Sequence, residues 1–234
     1  MKRDVIVACD FKDRQDTMEF LKKFNDVKPY LKIGMELFYG CGPDIVREAK
    51  AMGHKVFLDL KLHDIPNTVK KAMKNLAVLG ADMVNLHAAG TIEMMTAALE
   101  GLEAGTAAGK ERPLLIAVTQ LTSTSQERMQ NQLLINATIE ECVAQYAKNA
   151  KIAGLDGVVC SPLEAGLVKT ACGKEFLTVT PGIRFADDSK DDQVRITTPA
   201  KAKDIGTDYI VVGRSITAAE DPVAAYNRAV GDFV

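Results

Sequence analysis

No lysine- or arginine-rich run interrupts this chain, and its 29 basic and 31 acidic residues nearly cancel. Proteins that hold nucleic acid or an anionic membrane by charge concentrate their cations. Neither partner is expected here, and a small molecule fits better. A long apolar run is also missing at the start: Val5-Ile6-Val7-Ala8 is too short, and too soon followed by Asp10, to be a signal peptide or a membrane span. A cytoplasmic protein is expected. Histidine is scarce, and His54, His63 and His87 stand at no metal-ligand spacing, which argues against a dedicated transition-metal cage. The five cysteines (Cys9, Cys41, Cys142, Cys160, Cys172) are odd in number, scattered and without a C-x-x-C pair. That pattern speaks against a disulfide framework and a zinc site, leaving reduced thiols that pack. No G-x-G-x-x-G follows the first apolar run, so a dinucleotide site has little support.

What is present is alternation. At 234 residues and 47% hydrophobic composition, the chain can build one large core, and α/β barrels reach this length undivided. Val5–Ala8, Tyr30–Gly34, the stretch from Val56, Met83–His87, Leu114–Val118, Gly157–Cys160, Phe176–Thr180 and Tyr209–Val212 read as short apolar strands. Helical patterns follow them: Met18, Leu21 and Phe24; Pro43 to Met52, stopped by Gly53; a stripe of Val69, Ala72, Met73, Leu76 and Leu79, capped by Asn67 or Thr68 and stopped by Gly80. Further helices are expected over Thr91 to Leu102, Ile139 to Ala153, a short segment opened by Ser161-Pro162, and from Pro222. Eight strand-then-helix units describe a parallel sheet covered by helices, and a single (β/α)8 barrel spanning residues 1–234 fits best. An open doubly wound sheet is permitted by the same alternation.

The third strand carries a local contradiction, Val56-Phe57-Leu58-Asp59-Leu60-Lys61-Leu62-His63-Asp64-Ile65-Pro66-Asn67-Thr68. Strand side chains alternate, so Phe57, Asp59 and Lys61 share one face and Val56, Leu58 and Leu60 the other. Burying an unpaired charge costs several kcal/mol, so Asp59 and Lys61 must compensate each other and face a pocket. Barrel enzymes build their sites at the carboxyl ends of the strands. Here those ends supply Asp10, Lys32, Asp59, Lys61, His87, Thr122 and Gly213-Arg214. Pro181-Gly182-Ile183-Arg184 and Gly213-Arg214-Ser215 follow strands seven and eight, where many barrels hold phosphate: glycine lets backbone N–H groups approach, and arginine adds a bidentate charge. The charged, aperiodic residues 184–193, within the span from Ile183 to Arg195, suit a mobile lid as well as a solvated loop.

Asp59, Lys61, Asp64, Ile65 and Thr68 form D-x-K-x-x-D-I-x-x-T, and on this motif the chain resembles the orotidine 5′-phosphate decarboxylase family. The resemblance extends through Leu31-Lys32-Ile33-Gly34, Val84-Asn85-Leu86-His87-Ala88, Leu121-Thr122-Ser123, Thr180-Pro181-Gly182-Ile183-Arg184 and Val212-Gly213-Arg214-Ser215. It implies a cofactor-free, metal-free carboxy-lyase that converts orotidine 5′-phosphate to UMP in pyrimidine synthesis. It further implies that Lys61 stabilises and protonates the carbanion at ring carbon six, within an alternating array of Lys32, Asp59, Lys61 and Asp64. Arg184, Gln193, Gly213 and Arg214, with Pro181 beside them, would hold phosphate; Asp10 and Lys32 the ribose; Thr122 the pyrimidine. Ile65 belongs to the same binding motif. Asp64 and Thr68 would reach the site of a partner subunit, so a homodimer is implied.

Simpler roles suit the remaining residues. His87 reads as a hydrogen-bonded residue of the barrel mouth, His63 as peripheral or interfacial, and Met73, Met94 and Met95 as core. A magnesium-dependent sugar-phosphate decarboxylase could share D-x-K-x-x-D, but Lys32 would repel the cation. A nucleotide-binding protein without activity would not need the charge array.

Overall fold

Each strand of this chain must bury both faces, and the computed structural model, which describes residues 3–188 and 197–234, shows where each face goes. The strands are β1 (Asp4–Ala8), β2 (Tyr30–Gly34), β3 (Val56–Leu62), β4 (Met83–His87), β5 (Leu114–Val118), β6 (Gly157–Val159), β7 (Leu177–Ile183) and β8 (Tyr209–Val212). They pair in parallel with sequence neighbours, and β8 closes on β1. The open doubly wound alternative is thereby excluded. Ile6, Ala8, Tyr30, Phe57, Met83, Ile116, Val179 and Val211 pack together inside the barrel. Their neighbours Val5, Val7, Leu31, Val56, Leu58, Val84 and Leu86 pack outward against the helices. The period of two explains why these strands look apolar throughout, because both faces are interior. A fully buried aliphatic side chain contributes about 1.5–3 kcal/mol.

The helices are placed by local chemistry. Helix Pro66–Leu79 starts on Pro66, whose fixed φ and missing N–H suit the first helical position. Ile65 is the cap residue and no side chain caps this helix, so the expectation that Asn67 or Thr68 does is wrong. Proline also favours extended backbone in the residue before it, and Ile65 is extended. At its other end Gly80 takes φ +87°, the left-handed stop expected of it. The next helix, Thr91–Gly105, lies against it so closely that a Cβ on Gly101 would collide with the Lys70 carbonyl.

Several elements depart from the sequence-based boundaries. Met35–Cys41 is helical directly after β2, Gln126–Gln132 forms a helix inside the polar segment after β5, and Pro199–Ile205 is a helix before β8. Strand β7 continues through Pro181-Gly182-Ile183 rather than ending before them, with irregular pairing between Thr180 and Ile183 and with Gly182 at φ +81°. At the amino ends of alternate strands, Asp82, Asp156 and Asp208 each accept a backbone N–H from the neighbouring strand and pair with Lys50, Arg112 and Lys169 respectively. These bonds satisfy strand ends at the face away from the charged pocket. All five cysteines are free, Met73, Met94 and Met95 are fully buried, and among the described residues no helix is long and apolar enough to cross a membrane.

Candidate active site

The carboxyl ends of β1, β2 and β3 bring four charges into one line. Lys32 Nζ donates to Asp10 Oδ1 at 2.8 Å and lies 3.5 Å from Asp59 Oδ2. Lys61 Nζ donates to Asp59 Oδ1 at 2.6 Å. Side-chain exposure grades from 60% at Asp10 to 13% at Lys32 and 11% at Asp59, then back to 25% at Lys61. The innermost pair is thus the driest, where attraction between charges is least screened. Lys32 and Asp59 point into the barrel because residues 32 and 59 fall on the same strand faces as Tyr30 and Phe57. Gly34 leaves room for the Lys32–Asp10 pair: a Cβ there would sit 3.2 Å from Lys32 Nζ and 3.4 Å from Asp10 Oδ1.

Burial pushes the Asp59 carboxyl up, but the ammonium groups of Lys32 and Lys61, with hydrogen bonds from Lys61 and Asn85, outweigh it and hold this group below the usual carboxylate range. Burial pulls Lys32 down, and Asp10 and Asp59 more than reverse that, leaving it above the ordinary lysine value. Both therefore stay charged at neutral pH. Behind them, burial drives the Cys9 thiol up to about 12, so it remains neutral.

Lys61 adopts φ +50°, a left-handed conformation costing a residue with a Cβ about 1–2 kcal/mol. The pairing of β3 with β4 slips there, from Leu58 opposite Val84 to Leu62 opposite Leu86. The bulge turns the end of β3 so that the lysine folds back onto Asp59. Asn85, buried on β4, accepts from the Lys61 backbone N–H at 2.8 Å and donates to Asp59 Oδ1 at 2.7 Å.

Two adjoining cavities open on this line. One, of about 180 Å³, is walled by Asp10, Lys32, Pro181, Arg184, Gly213 and Arg214. The other, of about 220 Å³, is walled by Lys32, Asp59, Lys61, Gln120, Thr122 and Cys160, among others. Lys32 and Pro181 border both, so together they form one cleft with a charged floor and an arginine-rich end. Arg184 is buried at that end, and Gly213 immediately precedes the short helix Arg214–Thr217. The chain after β7 is tied down at first: Asp188 accepts from the Phe185 N–H at 2.9 Å and from Ser215 Oγ, while Arg228 pairs with Asp187 at 2.8 Å and lies 4.1 Å over the Phe185 ring. The anchored part belongs to the segment expected to be a lid. Gln193 lies outside the described residues.

Asp10, Lys32, Asp59, Lys61, Thr122, Pro181, Arg184, Gly213 and Arg214 thus converge. Asp64, Ile65 and Thr68 do not. All of them are exposed, line neither cavity, and Asp64 Oδ1 accepts from the Ile65 N–H at 2.6 Å. The line of charge within one chain is Asp10–Lys32–Asp59–Lys61, with Asp10 rather than Asp64 as its second carboxylate. His87 is half-buried, its ring 5.8 Å from that of His63, and burial with the nearby His63 and Lys61 charges holds it below the ordinary histidine value. Asn85 and Gln120 had no assigned role from sequence, although Asn85 is an amide at the inward-facing position two residues after Met83; nothing in the pattern distinguishes Gln120 from an ordinary polar residue.

A closed barrel with its polar cleft at the carboxyl ends of the strands is the architecture of the (β/α)8 enzymes. Residues 3–229 match the model of the orotidine 5′-phosphate decarboxylase / HUMPS family. The chain belongs to this family. It is 58% identical over 226 residues to the orotidine 5′-phosphate decarboxylase of Bacillus cereus (strain AH820), covering 97% of this chain and 95% of that one. A Geobacillus sp. (strain WCH70) protein of the same name is 58% identical over 228 residues, with the same coverage. Among solved structures, orotidine 5′-phosphate decarboxylase from Lactobacillus acidophilus superposes with a TM-score of 0.90 at 44% identity, covering 99% of each chain. An uncharacterized conserved protein from Geobacillus kaustophilus gives a TM-score of 0.90 at 51% identity, covering 98% of this chain and 100% of that one.

Proposed function

We propose that this chain converts orotidine 5′-phosphate to UMP and carbon dioxide, the last step of de novo pyrimidine synthesis, without metal or organic cofactor. The observation that carries this reading is the Asp10–Lys32–Asp59–Lys61 line at the floor of a cleft with an arginine-rich end, in a member of this family. The chemical difficulty is electronic. When the bond from ring carbon six to the carboxylate breaks, its electron pair stays on that carbon in the plane of the ring, perpendicular to the ring π-system, which therefore cannot receive it. A cation held in place beforehand stabilises that charge without reorganising. Lys61 serves this purpose, then transfers one Nζ proton to carbon six and regains it from solvent. Asp59 holds Lys61 in position by their ion pair, and Lys32 balances the charge of Asp59 from the other side. A single charge pair at 4 Å is worth about 4 kcal/mol at an effective dielectric near 20, whereas enzymes lower barriers by roughly 8–23 kcal/mol.

The remainder comes from binding elsewhere on the substrate. Arg184, Arg214, Gly213 and Gln193 hold the phosphoryl group, Pro181 walls its entry, Asp10 and Lys32 hold the ribose, and Thr122 meets the pyrimidine. Asp64, Ile65 and Thr68, exposed beside the cleft rather than inside it, suit delivery to a second copy, with Asp64 and Thr68 completing that copy's site across a two-fold interface. The chain acts in this reading as a cytoplasmic homodimer. Spectrophotometric decay of orotidine 5′-phosphate, before and after exhaustive EDTA treatment, tests the proposal. Undiminished turnover is expected; activity lost to EDTA and restored by magnesium would instead favour a sugar-phosphate type of chemistry.

A further inference from the structure

We propose that Asn85 is a positioning residue for decarboxylation, a role that rests on the reading above and assigns a further member of the same site. Asn85 is 1% exposed and stands on the face of β4 that also carries Met83 into the barrel interior. An amide there is costly unless both its ends are bonded, and both are. Its Oδ1 faces a backbone N–H, which can only donate; its Nδ2 faces a carboxylate, which accepts. The partners therefore define the amide's orientation as well as its place.

Those partners are the two residues of the Asp59–Lys61 ion pair. Accepting from the Lys61 N–H fixes the backbone where β3 and β4 lose register and where Lys61 stands at φ +50°. Donating to Asp59 Oδ1 fixes the carboxylate oxygen that Lys61 Nζ also reaches, leaving Oδ2 to face Lys32. One side chain thus clamps the lysine's backbone and the lysine's counter-ion in a single geometry. Asn85 lines neither cavity, so it acts through Lys61 and Asp59 rather than on substrate.

The test compares the full-length protein with Asn85→Leu, which removes both bonds, and Asn85→Asp, which keeps the acceptor for Lys61 N–H but sets a carboxylate against Asp59. Displacing a reacting group by about 1 Å can cost roughly 10²-fold in rate. Expected for both variants is a fall in kcat of about that size, with KM and the Kd for UMP within a few-fold of the parent. Both variants should move the acidic limb of kcat to higher pH, because each removes the Asn85 hydrogen bond that helps hold Asp59 low, and Asn85→Asp should move it further, because a second carboxylate also favours protonation of Asp59. Crystal structures of the variants should show Lys61 out of its left-handed conformation in Asn85→Leu. Parental kcat in a folded variant, or UMP binding that weakens in step with kcat, would overturn the proposal. Should the unsubstituted protein fail to turn over orotidine 5′-phosphate, the decarboxylase reading fails, and the variant structures still decide: Lys61 unchanged in Asn85→Leu contradicts the positioning role, and its release supports it.

Discussion

Charge at the floor of the cleft is secured over a wide pH range. Asp59 is held below the usual carboxylate range and Lys32 above the usual lysine range. A depressed carboxylate contributes stability that is present above its unfolded value near ~3.9 and is lost as pH falls through its lower folded value. A raised lysine contributes stability that is present below about 10.4 and is lost as pH rises through its higher folded value. Neither transition falls near neutrality. With substrate saturating, kcat should therefore be flat from about pH 5 to 9, the acidic limb of kcat/KM near pH ~6 belonging to the second ionisation of the substrate phosphate. A limb in kcat close to pH 7 would show that a group other than Asp59 or Lys32 limits the reaction. Replacing Asp59 with Asn should destabilise the fold most at neutral pH and least in acid, as urea titrations at several pH values would reveal.

At the level of elements, the helix pair Pro66–Leu79 and Thr91–Gly105 holds the exposed Asp64–Thr68 corner in place, and its close approach depends on Gly101. Gly101→Ala would force a methyl group into the Lys70 carbonyl. Such overpacking costs about 1–3 kcal/mol, read as a lower urea midpoint with an unchanged m-value. The strands themselves were legible in sequence because each is short and mostly apolar, and β2, β4, β5 and β8 have the bounds their residues suggest. Lys32, Asp59 and Lys61 stood out for the same reason, as charges where a doubly buried strand tolerates none. Other features carry no such signature. The helix Met35–Cys41 begins with no intervening loop, Pro181-Gly182 resembles a break although β7 continues through it, and Pro66 conceals the true start of its helix behind two good capping residues. The left-handed Lys61 and the amide that holds it depend on a register shift between two strands, which only the folded barrel creates.

For the whole molecule, the exposed Asp64 and Thr68 beside a cleft they do not line set up a test of assembly. If each site takes its lysine from one subunit and Asp64 from the other, Lys61→Ala and Asp64→Ala homodimers are both impaired. Once subunits exchange, random pairing gives half heterodimers, each with one intact site, so about a quarter of the sites recover. Activity that stays at the homodimer level after exchange would place Asp64 outside the partner's site. Whether the barrel mouth is a decarboxylase site is decided most directly by one substitution at its centre, with turnover and product binding measured on the same preparation. Lys61→Ala should lower decay of the orotidine 5′-phosphate absorbance by ~10⁴-fold or more, since it removes both the cation and the proton donor, while UMP still binds. Near-parental turnover by the folded Lys61→Ala protein would contradict the assignment of Lys61 and, with it, the mechanism.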